Sequence, residues 1–171
     1  MDVKVAINTK RAVREFKDQP LPEEAVWEIL NAGRRAQSAK NWQPWHFIAI
    51  RDKKILKSLS QMGNFAGHLA GAAMGVAIIT PPMEKRFSIM FDAGQAAAYM
   101  QLAAWEIGIG SCPATIYQPE DAKALLGFPD DQHIYLALSF GYPRDESAIT
   151  RPPSVKGGRK KFDEVVHFDR W

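Results

Sequence analysis

The sequence predicts one domain that mixes helices with a buried sheet, and three observations predict it. Three runs have strand character, at 45–51, 74–79 and 133–142, and the middle one is apolar on both faces, as a strand covered on two sides must be. Between them lie segments with apolar residues at helical spacing, the longest at 87–107. The chain has 171 residues, 46% of them hydrophobic. That is enough for a sizeable core and, at roughly 100–200 residues per domain, for a single domain spanning 1–171.

Residues 3–13 mix apolar and charged side chains and read as a short helix feeding a loop. Asp18-Gln19-Pro20-Leu21-Pro22 is a turn. Pro22, Glu23 and Glu24 suit a helix N-terminus, and Val26, Ile29 and Leu30 continue it to about Arg35. Gln37-Ser38-Ala39-Lys40-Asn41-Trp42-Gln43-Pro44-Trp45-His46-Phe47 is a loop entering the first strand. A helix over 52–61 places Ile55, Leu56 and Leu59 on one face. The helix at 87–107 is apolar nearly all round, so it expects burial on several sides, a subunit interface among them. Gly108-Ile109-Gly110 ends it. A short strand and loop follow at 111–116, a helix at 118–126, and a last main strand at 133–142. Residues 144–161 are rich in Pro, Gly, Arg and Lys and read as an extended arm. Residues 162–168 regain strand character, suited to a distant sheet edge or that of a second subunit.

Several function classes drop out. The net charge of +3 is modest, and no aromatic-rich RNA signature or zinc-finger spacing points to nucleic acid. Apolar stretches such as 72–82 are too short to span a bilayer, and residues 1–4 do not open a signal peptide. The single Cys112 excludes an internal disulfide framework and favours a reducing, cytoplasmic setting. His46, His68, His133 and His167 lack metal-ligand spacing, so no metal is expected. Gly108-Ile109-Gly110-Ser111-Cys112 follows a helix and lacks a third glycine, which excludes a dinucleotide fingerprint. Cys112 has no Cys-His context, and no nucleophile elbow appears. Asp92 and Glu106 on the long helix are placed to pair with basic groups. With no side-chain catalyst in view, an enzyme of this sequence needs a bound cofactor to carry the chemistry.

The binding candidates are the loop and two basic clusters. Small polar groups beside two indoles in 37–47 suit a flat, partly polar ligand, and loops at the ends of rigid elements concentrate binding residues. Lys10-Arg11-Ala12-Val13-Arg14-Glu15-Phe16 and Arg159-Lys160-Lys161 can converge on one phosphate. Taken singly, such a charge run usually serves solubility.

In order along nearly the whole chain, four segments resemble the nitroreductase-like family of FMN-dependent NAD(P)H oxidoreductases. They are 10–16, 38–45, the alanine-rich helix with Asp92-Ala93-Gly94 running on to Gly108-Ile109-Gly110-Ser111-Cys112, and 159–166. The resemblance implies an α+β fold, a central, mainly antiparallel sheet flanked by helices, and a homodimer that exchanges its C-terminal arm (144–171). It implies FMN at the subunit interface and NADH or NADPH as reductant. On this reading Lys10, Arg11 and Ala12 lie at the ribityl phosphate, and Arg14 supports the pyrimidine edge electrostatically. Gln37, Ser38, Ala39 and Asn41 come from the partner subunit. Pro113, Ala114, Thr115 and Ile116 run beside the isoalloxazine, and Arg159 returns to the phosphate. Trp42, Pro44 and Trp45 then become packing that holds the loop.

The implied activity is hydride transfer from NAD(P)H through flavin to an electron-poor small molecule, such as a nitroaromatic or quinone, in a ping-pong cycle without a side-chain nucleophile. The alternatives are a non-catalytic flavin storage or sensing protein and a specialised flavin enzyme for dehalogenation or flavin fragmentation. Two positions depart from the family. Ala12 stands where a small hydroxyl residue is usual, and Gly157 where a lysine is usual, leaving Lys156 or Lys160 as substitutes. The stretch 63–86 is short for the helical insertion that often covers the substrate, which implies an open pocket.

Overall fold

In the computed structural model, which describes residues 1–151 and 158–171, helix α1 (Val3–Thr9) opens the chain. The Asp2 carboxylate accepts from the Lys4 N–H and caps it. The helix stops at Thr9 because the next residues join the sheet instead. Ala12 bridges Ser111 in parallel, the Val13 N–H donates to the Ser111 carbonyl at 3.0 Å, and Phe16 bridges Pro143. Val13 and Phe16 are buried, so their apolar side chains hold the segment down.

The remaining elements follow the expected order. Helix α2 (Glu23–Arg34) carries Glu23 and Glu24 in its first turn. Strand β1 (His46–Ile50) leads to α3 (Lys53–Leu59), whose first N–H groups are accepted by Asp52. A 3₁₀ turn (Gly67–Gly71) precedes β2 (Met74–Thr80). Helix α4 (Ser88–Glu106) ends at Gly108, whose φ of +78° is the left-handed conformation that glycine adopts without steric cost. Then come β3 (Gly110–Thr115), α5 (Pro119–Leu126), β4 (His133–Gly141) and the short α6 (Ser147–Thr150).

The four strands form one antiparallel sheet in the order β1-β2-β4-β3. Every residue of β2 is buried, which places it centrally as its two-faced apolar pattern requires. Met74, Val76, Ile78, Leu138 and Phe140 meet α2 and α4 on one face. Ile50, Ala77, Ile79, Ala114 and Ala137 meet α3 and α5 on the other. The alanines of α4 let it approach α2 closely; a Cβ on Gly33 would come within 2.7 Å of Met100.

One expectation needs correction. Residues 162–168 form no strand; a 3₁₀ turn (Phe162–Glu164) stands there. A strand needs a partner edge, and the segment instead satisfies its backbone locally, Glu164 N–H to Lys161 and Val166 N–H to Phe162. Within the chain helix α4 is buried on several sides but leaves Phe91 71% exposed and Tyr99 exposed, with Phe87 just before it 94% exposed. With Val3, Val5 and Ile7 of α1 also exposed, apolar surface is left uncovered in the single chain. No helix among the described residues is long and apolar enough to cross a membrane.

Candidate functional site

The first basic cluster sits where the 12–16 segment docks on β3. Gly110 and Gly141 make the docking possible. A Cβ on Gly110 would lie 2.7 Å from Val13 Cβ, and one on Gly141 would lie 2.8 Å from the Phe16 ring. Here the glycines serve close approach of a side chain, not backbone torsion. Anchored on either side by Val13 and Phe16, the exposed Arg14 is held beside Cys112 and the 3₁₀ turn. Its charge acts on both Cys112 and His68.

Lys10 is half-buried at the end of α1, and its ammonium donates to Gln101 Oε1 of α4. Burial pushes its pKa below the ordinary lysine value. Arg11 donates to the backbone carbonyls of Thr9 and Arg151. Arg11, Ala12, Arg14 and Arg151 line an open groove of about 370 Å³. None of Lys10, Arg11 and Arg14 forms an ion pair among the described residues. Glu15 and Asp145 line the same groove but pair with Arg144 and Arg151, so Arg11 and Arg14, with the partly desolvated Lys10 just before them, keep donors that an anion would engage.

Beneath this groove runs a buried polar chain. Ser139 Oγ donates to the Cys112 carbonyl at 3.3 Å, and His68 Nδ1 lies 2.8 Å from Ser139 Oγ. Burial, and then the Arg14 charge, hold the His68 pKa below the ordinary value of 6.5, while the Pro113 carbonyl opposes them. The Cys112 thiol is pushed up by burial, against the fields of Arg14 and Lys10, so it stays protonated and is no nucleophile.

The His68 shift has a consequence for stability. Between the folded and unfolded pKa values the unfolded chain binds the extra proton, so this contribution is present above about pH 6.5 and lost as pH falls through the folded value. One proton limits the slope to about 1.4 kcal/mol per pH unit. Urea unfolding between pH 8 and 5 should therefore show a steeper decline for the wild type than for His68→Gln. Parallel profiles would refute the assignment.

The loop forms a second assembly. Lys40, Asn41 and Gln43 have φ of +55°, +55° and +52°, three left-handed non-glycine residues within four positions. Each costs roughly 1 kcal/mol or more and persists only where surroundings enforce it. The enforcing contacts are specific. The Gln43 N–H donates to Ser38 Oγ at 2.8 Å, and Gln43 Nε2 reaches Asn41 Oδ1 at 3.2 Å. The Ala39 N–H donates to Asp92 Oδ1 at 3.1 Å, and Gln95 Nε2 reaches the Gln37 carbonyl at 3.3 Å. Pro44 and Trp45 are buried packing, with Trp45 stacked on Phe47. Trp42 is not packing as expected: it stays exposed, with the Arg86 guanidinium 5.1 Å above its ring.

Of the expected site residues, Lys10, Arg11, Ala12 and Arg14 gather on one side, and Gln37, Ser38, Ala39 and Asn41 in the loop. The two groups do not converge within one chain. Both attach to α4, one through Asp92 and Gln95, the other through Gln101. Asp92 and Gln101 are nine residues apart, roughly 13.5 Å along the axis and half a turn around it. Along β3 and just beyond, Pro113 and Thr115 face outward, while Ala114 and Ile116 are buried in the core and can offer only backbone. Arg159 is exposed on the tail and forms no ion pair among the described residues; Lys156 and Gly157 lie outside them.

Sequence reasoning missed two participants and misassigned a third. Asp92 holds a loop backbone rather than a basic group, whereas Glu106 does pair with a basic group, the Met1 amino group. Arg86 and His68 were not singled out as partners of the loop and of Arg14. The one legible signal was Asp92 itself, a carboxylate set among core-facing alanines of α4.

The sequence model of the Nitroreductase family matches residues 7–66 and 61–142. An Archaeoglobus fulgidus protein, provisionally named an NADH dehydrogenase/NAD(P)H nitroreductase, is 33% identical, covering 96% of both chains. An NADH dehydrogenase of Thermus thermophilus is 26% identical, covering 85% of this chain and 89% of its own. Among solved structures, an FMN-dependent nitroreductase from Clostridium difficile R20291 superposes with a TM-score of 0.87 at 27% identity, covering 99% of this chain and 100% of that one.

Proposed function

The chain belongs to the Nitroreductase family, and we propose that on this α+β fold it is a cytoplasmic FMN-dependent oxidoreductase. It takes hydride from NADH or NADPH and passes it to an electron-poor small molecule, a nitroaromatic or quinone, in ping-pong fashion. The observation that carries the reading is the trio Lys10, Arg11 and Arg14, brought up to β3 by the Ala12–Ser111 bridge and forming no ion pair among the described residues. A phosphate-bearing cofactor fits that donor set. The names of the relatives, an FMN-dependent nitroreductase and an NADH dehydrogenase, fit the same chemistry.

FMN would supply the hydride-accepting ring that the side chains lack. The chain's own residues bind and polarise. Lys10 and Arg11 would hold the phosphate, although Ala12 gives it no hydroxyl. Arg14, fixed by Val13 and Phe16, would place a cation at the ring edge where negative charge collects. Pro113 and Thr115 would line the ring, with the backbone of Ala114 and Ile116 beside them. The separation of the loop from the basic cluster along α4 supports a homodimer in which Gln37, Ser38, Ala39 and Asn41 of a second copy complete the site. The uncovered apolar residues of α4 and α1 are the natural contact surface.

Residues 1–171 make one domain on this reading, with 144–171 as an arm that crosses to the partner and brings Arg159 to the phosphate. Among the described residues no strand pairs with the outer edge of β1. Beside it lies a depression of about 510 Å³ lined by Trp27, Leu30, Trp45 and Phe47, and the exposed Phe162, Val165 and Phe168 suit that depression. Deleting the residues after Asp163 should weaken the dimer by at least tenfold in sedimentation equilibrium. A full-strength, flavin-loaded dimer without the arm would contradict the exchange.

Only seven residues separate β2 from α4, so no helical lid stands between them. That supports an open site for varied acceptors over a specialised dehalogenating or fragmenting enzyme. The test is anaerobic reduction by NADH and by NADPH, then reoxidation with an acceptor panel. The protein should be yellow and turn over with at least one nucleotide. Protein that stays colourless and gains no FMN on titration would end the proposal; bound FMN without turnover would assign a storage or sensing role instead.

A further inference from the structure

Helix α4 buries a carboxylate that its own packing does not use. Asp92 is 1% exposed and lies among the buried Ile89, Ala93 and Ala96 of the same helix. Its Oδ1 accepts the Ala39 N–H at 3.1 Å, from 53 positions away. Its Oδ2 has no hydrogen-bond partner, and the residue forms no ion pair, among the described residues. Burying a polar oxygen unpaired is unfavourable, and a methyl group would suit this alanine-rich face better. The one bond that Asp92 makes goes to the loop.

That bond belongs to a clamp. Gln95, about one turn along the same face of α4, donates from Nε2 to the Gln37 carbonyl at 3.3 Å. Arg86, just before the helix, reaches the Ala39 carbonyl with Nη2 at 3.5 Å. The backbone on both sides of Ser38 is thus tied to one element. Of the three ties, the Asp92 bond is the shortest and comes from the only buried side chain. Directly downstream stand Lys40, Asn41 and Gln43 with φ of +55°, +55° and +52°, torsions that persist only where surroundings enforce them. Bonds inside the loop, Asn41 N–H to the Ser38 carbonyl at 3.0 Å and Gln43 N–H to Ser38 Oγ at 2.8 Å, set its shape. The ties to α4 set its place.

We propose that Asp92 is a positioning residue for the cofactor of the opposite subunit: through the Ala39 N–H it holds residues 37–41 in the strained shape that completes the partner's FMN site, rather than stabilising its own chain. This rests on the FMN reading above and on the loop working across the dimer. Asp92→Ala removes the tie and the unpaired oxygen together. Ala39 is half-exposed, so water can take its N–H. The urea midpoint should therefore hold or rise, while FMN affinity falls by at least about tenfold, the effect of one hydrogen bond to a charged group.

The test is a mixed dimer, purified through two different affinity tags, with Asp92→Ala in one subunit and Arg14→Ala in the other. One of its sites combines the intact Arg14 of the first subunit with the intact loop support of the second; the other site combines both lesions. The mixed dimer should bind one FMN with near wild-type affinity, although each parent homodimer binds weakly at both sites. Asn41→Ala paired with Arg14→Ala is the control, since Asn41 lies in the loop itself. One tight site in the control and none in the Asp92 pair would overturn the proposal and leave the FMN reading standing. So would wild-type affinity in the Asp92→Ala homodimer, or a lowered urea midpoint with no restored site. No tight site in either pair, with two FMN bound by the wild-type dimer, would end the loop's role across the dimer and this proposal with it. A wild type that binds no FMN would end the FMN reading itself. Should Asp92→Ala fail to fold, Asp92→Asn, which keeps an accepting oxygen without the carboxylate, takes its place in the same pair. It should weaken FMN binding less in the homodimer and restore one site in the mixed dimer; no restored site would overturn the proposal.

Discussion

Arg14→Ala is expected to weaken FMN binding by roughly tenfold to a hundredfold and to make the bound flavin harder to reduce. A hydrogen bond to a charged group contributes about 1.5–3 kcal/mol. Arg14 is exposed, so solvent screening places the effect toward the lower end of that range. Two features keep it from vanishing. Val13 and Phe16 are buried on either side, so the backbone at 14 pays little ordering cost when a ligand arrives. The guanidinium also forms no ion pair among the described residues; the two carboxylates that share its groove, Glu15 and Asp145, pair with Arg144 at 3.8 Å and Arg151 at 3.4 Å. The effect on reduction is the more telling one, because a fixed cation stabilises the state with more negative charge. Arg14→Lys should keep much of the potential and lose part of the affinity, since an ammonium cannot form the forked contact of arginine. Fluorescence titration measures the first quantity and redox titration the second. A reduction potential unchanged in Arg14→Ala would remove Arg14 from the ring edge.

Local pattern carried most of the fold. The two-faced apolar run at 74–79 could only be an inner strand, and β2 is that strand, buried along its whole length. The carboxylates after Pro22 and the glycines after residue 107 marked helix ends that the structure retains. Local pattern failed where an outcome depends on a distant partner. Residues 162–168 have the composition of a strand, but composition supplies no edge to pair with, so the single chain closes them into a turn. The apolar run at 87–107 called for burial on several sides, but hydrophobicity says what wants burial, not which molecule provides it, and the single chain leaves Phe87 and Phe91 exposed.

The site divides the same way. Residue types marked the basic cluster and the loop, but not what holds them in place. Ala39 and Asp92 are 53 positions apart, and His68 and Ser139 are 71 apart. No periodicity connects such pairs. The left-handed backbone at Lys40, Asn41 and Gln43 was equally hidden, since none of these is a glycine. It is visible only once the Ser38 hydroxyl and the Asp92 carboxylate are seen holding the loop closed.

Gly110→Val is expected to have the largest effect on cofactor binding of any single change, because one added side chain displaces three cations together. A Cβ at position 110 would lie 2.7–2.8 Å from Val13 Cβ, Cγ1 and Cγ2, closer than real side chains approach. Valine adds two more methyl groups in the same direction. The β3–β4 ladder, with Gly110 opposite Gly141, is tied into the sheet by five further residue pairs. The 12–16 segment is tied by the Val13–Ser111 hydrogen bond, the Ala12 and Phe16 bridges and the Lys17 N–H to Tyr142. The segment therefore yields first, and Lys10, Arg11 and Arg14 leave their places with it. Overpacking of this kind costs about 1–3 kcal/mol of stability. FMN affinity should fall further, by more than a hundredfold, since several charge-assisted contacts go at once. Gly71→Ala is the matched control: a Cβ there meets nothing within 4 Å, so binding and stability should stay near wild type. The decisive variant is the double change Gly110→Ala with Val13→Gly, which removes the colliding atoms. It should recover much of the lost affinity despite an emptier seat. If Gly110→Val binds FMN as tightly as wild type, the cations are not positioned by the Val13 seat; if the double variant recovers nothing, the loss did not come from this collision.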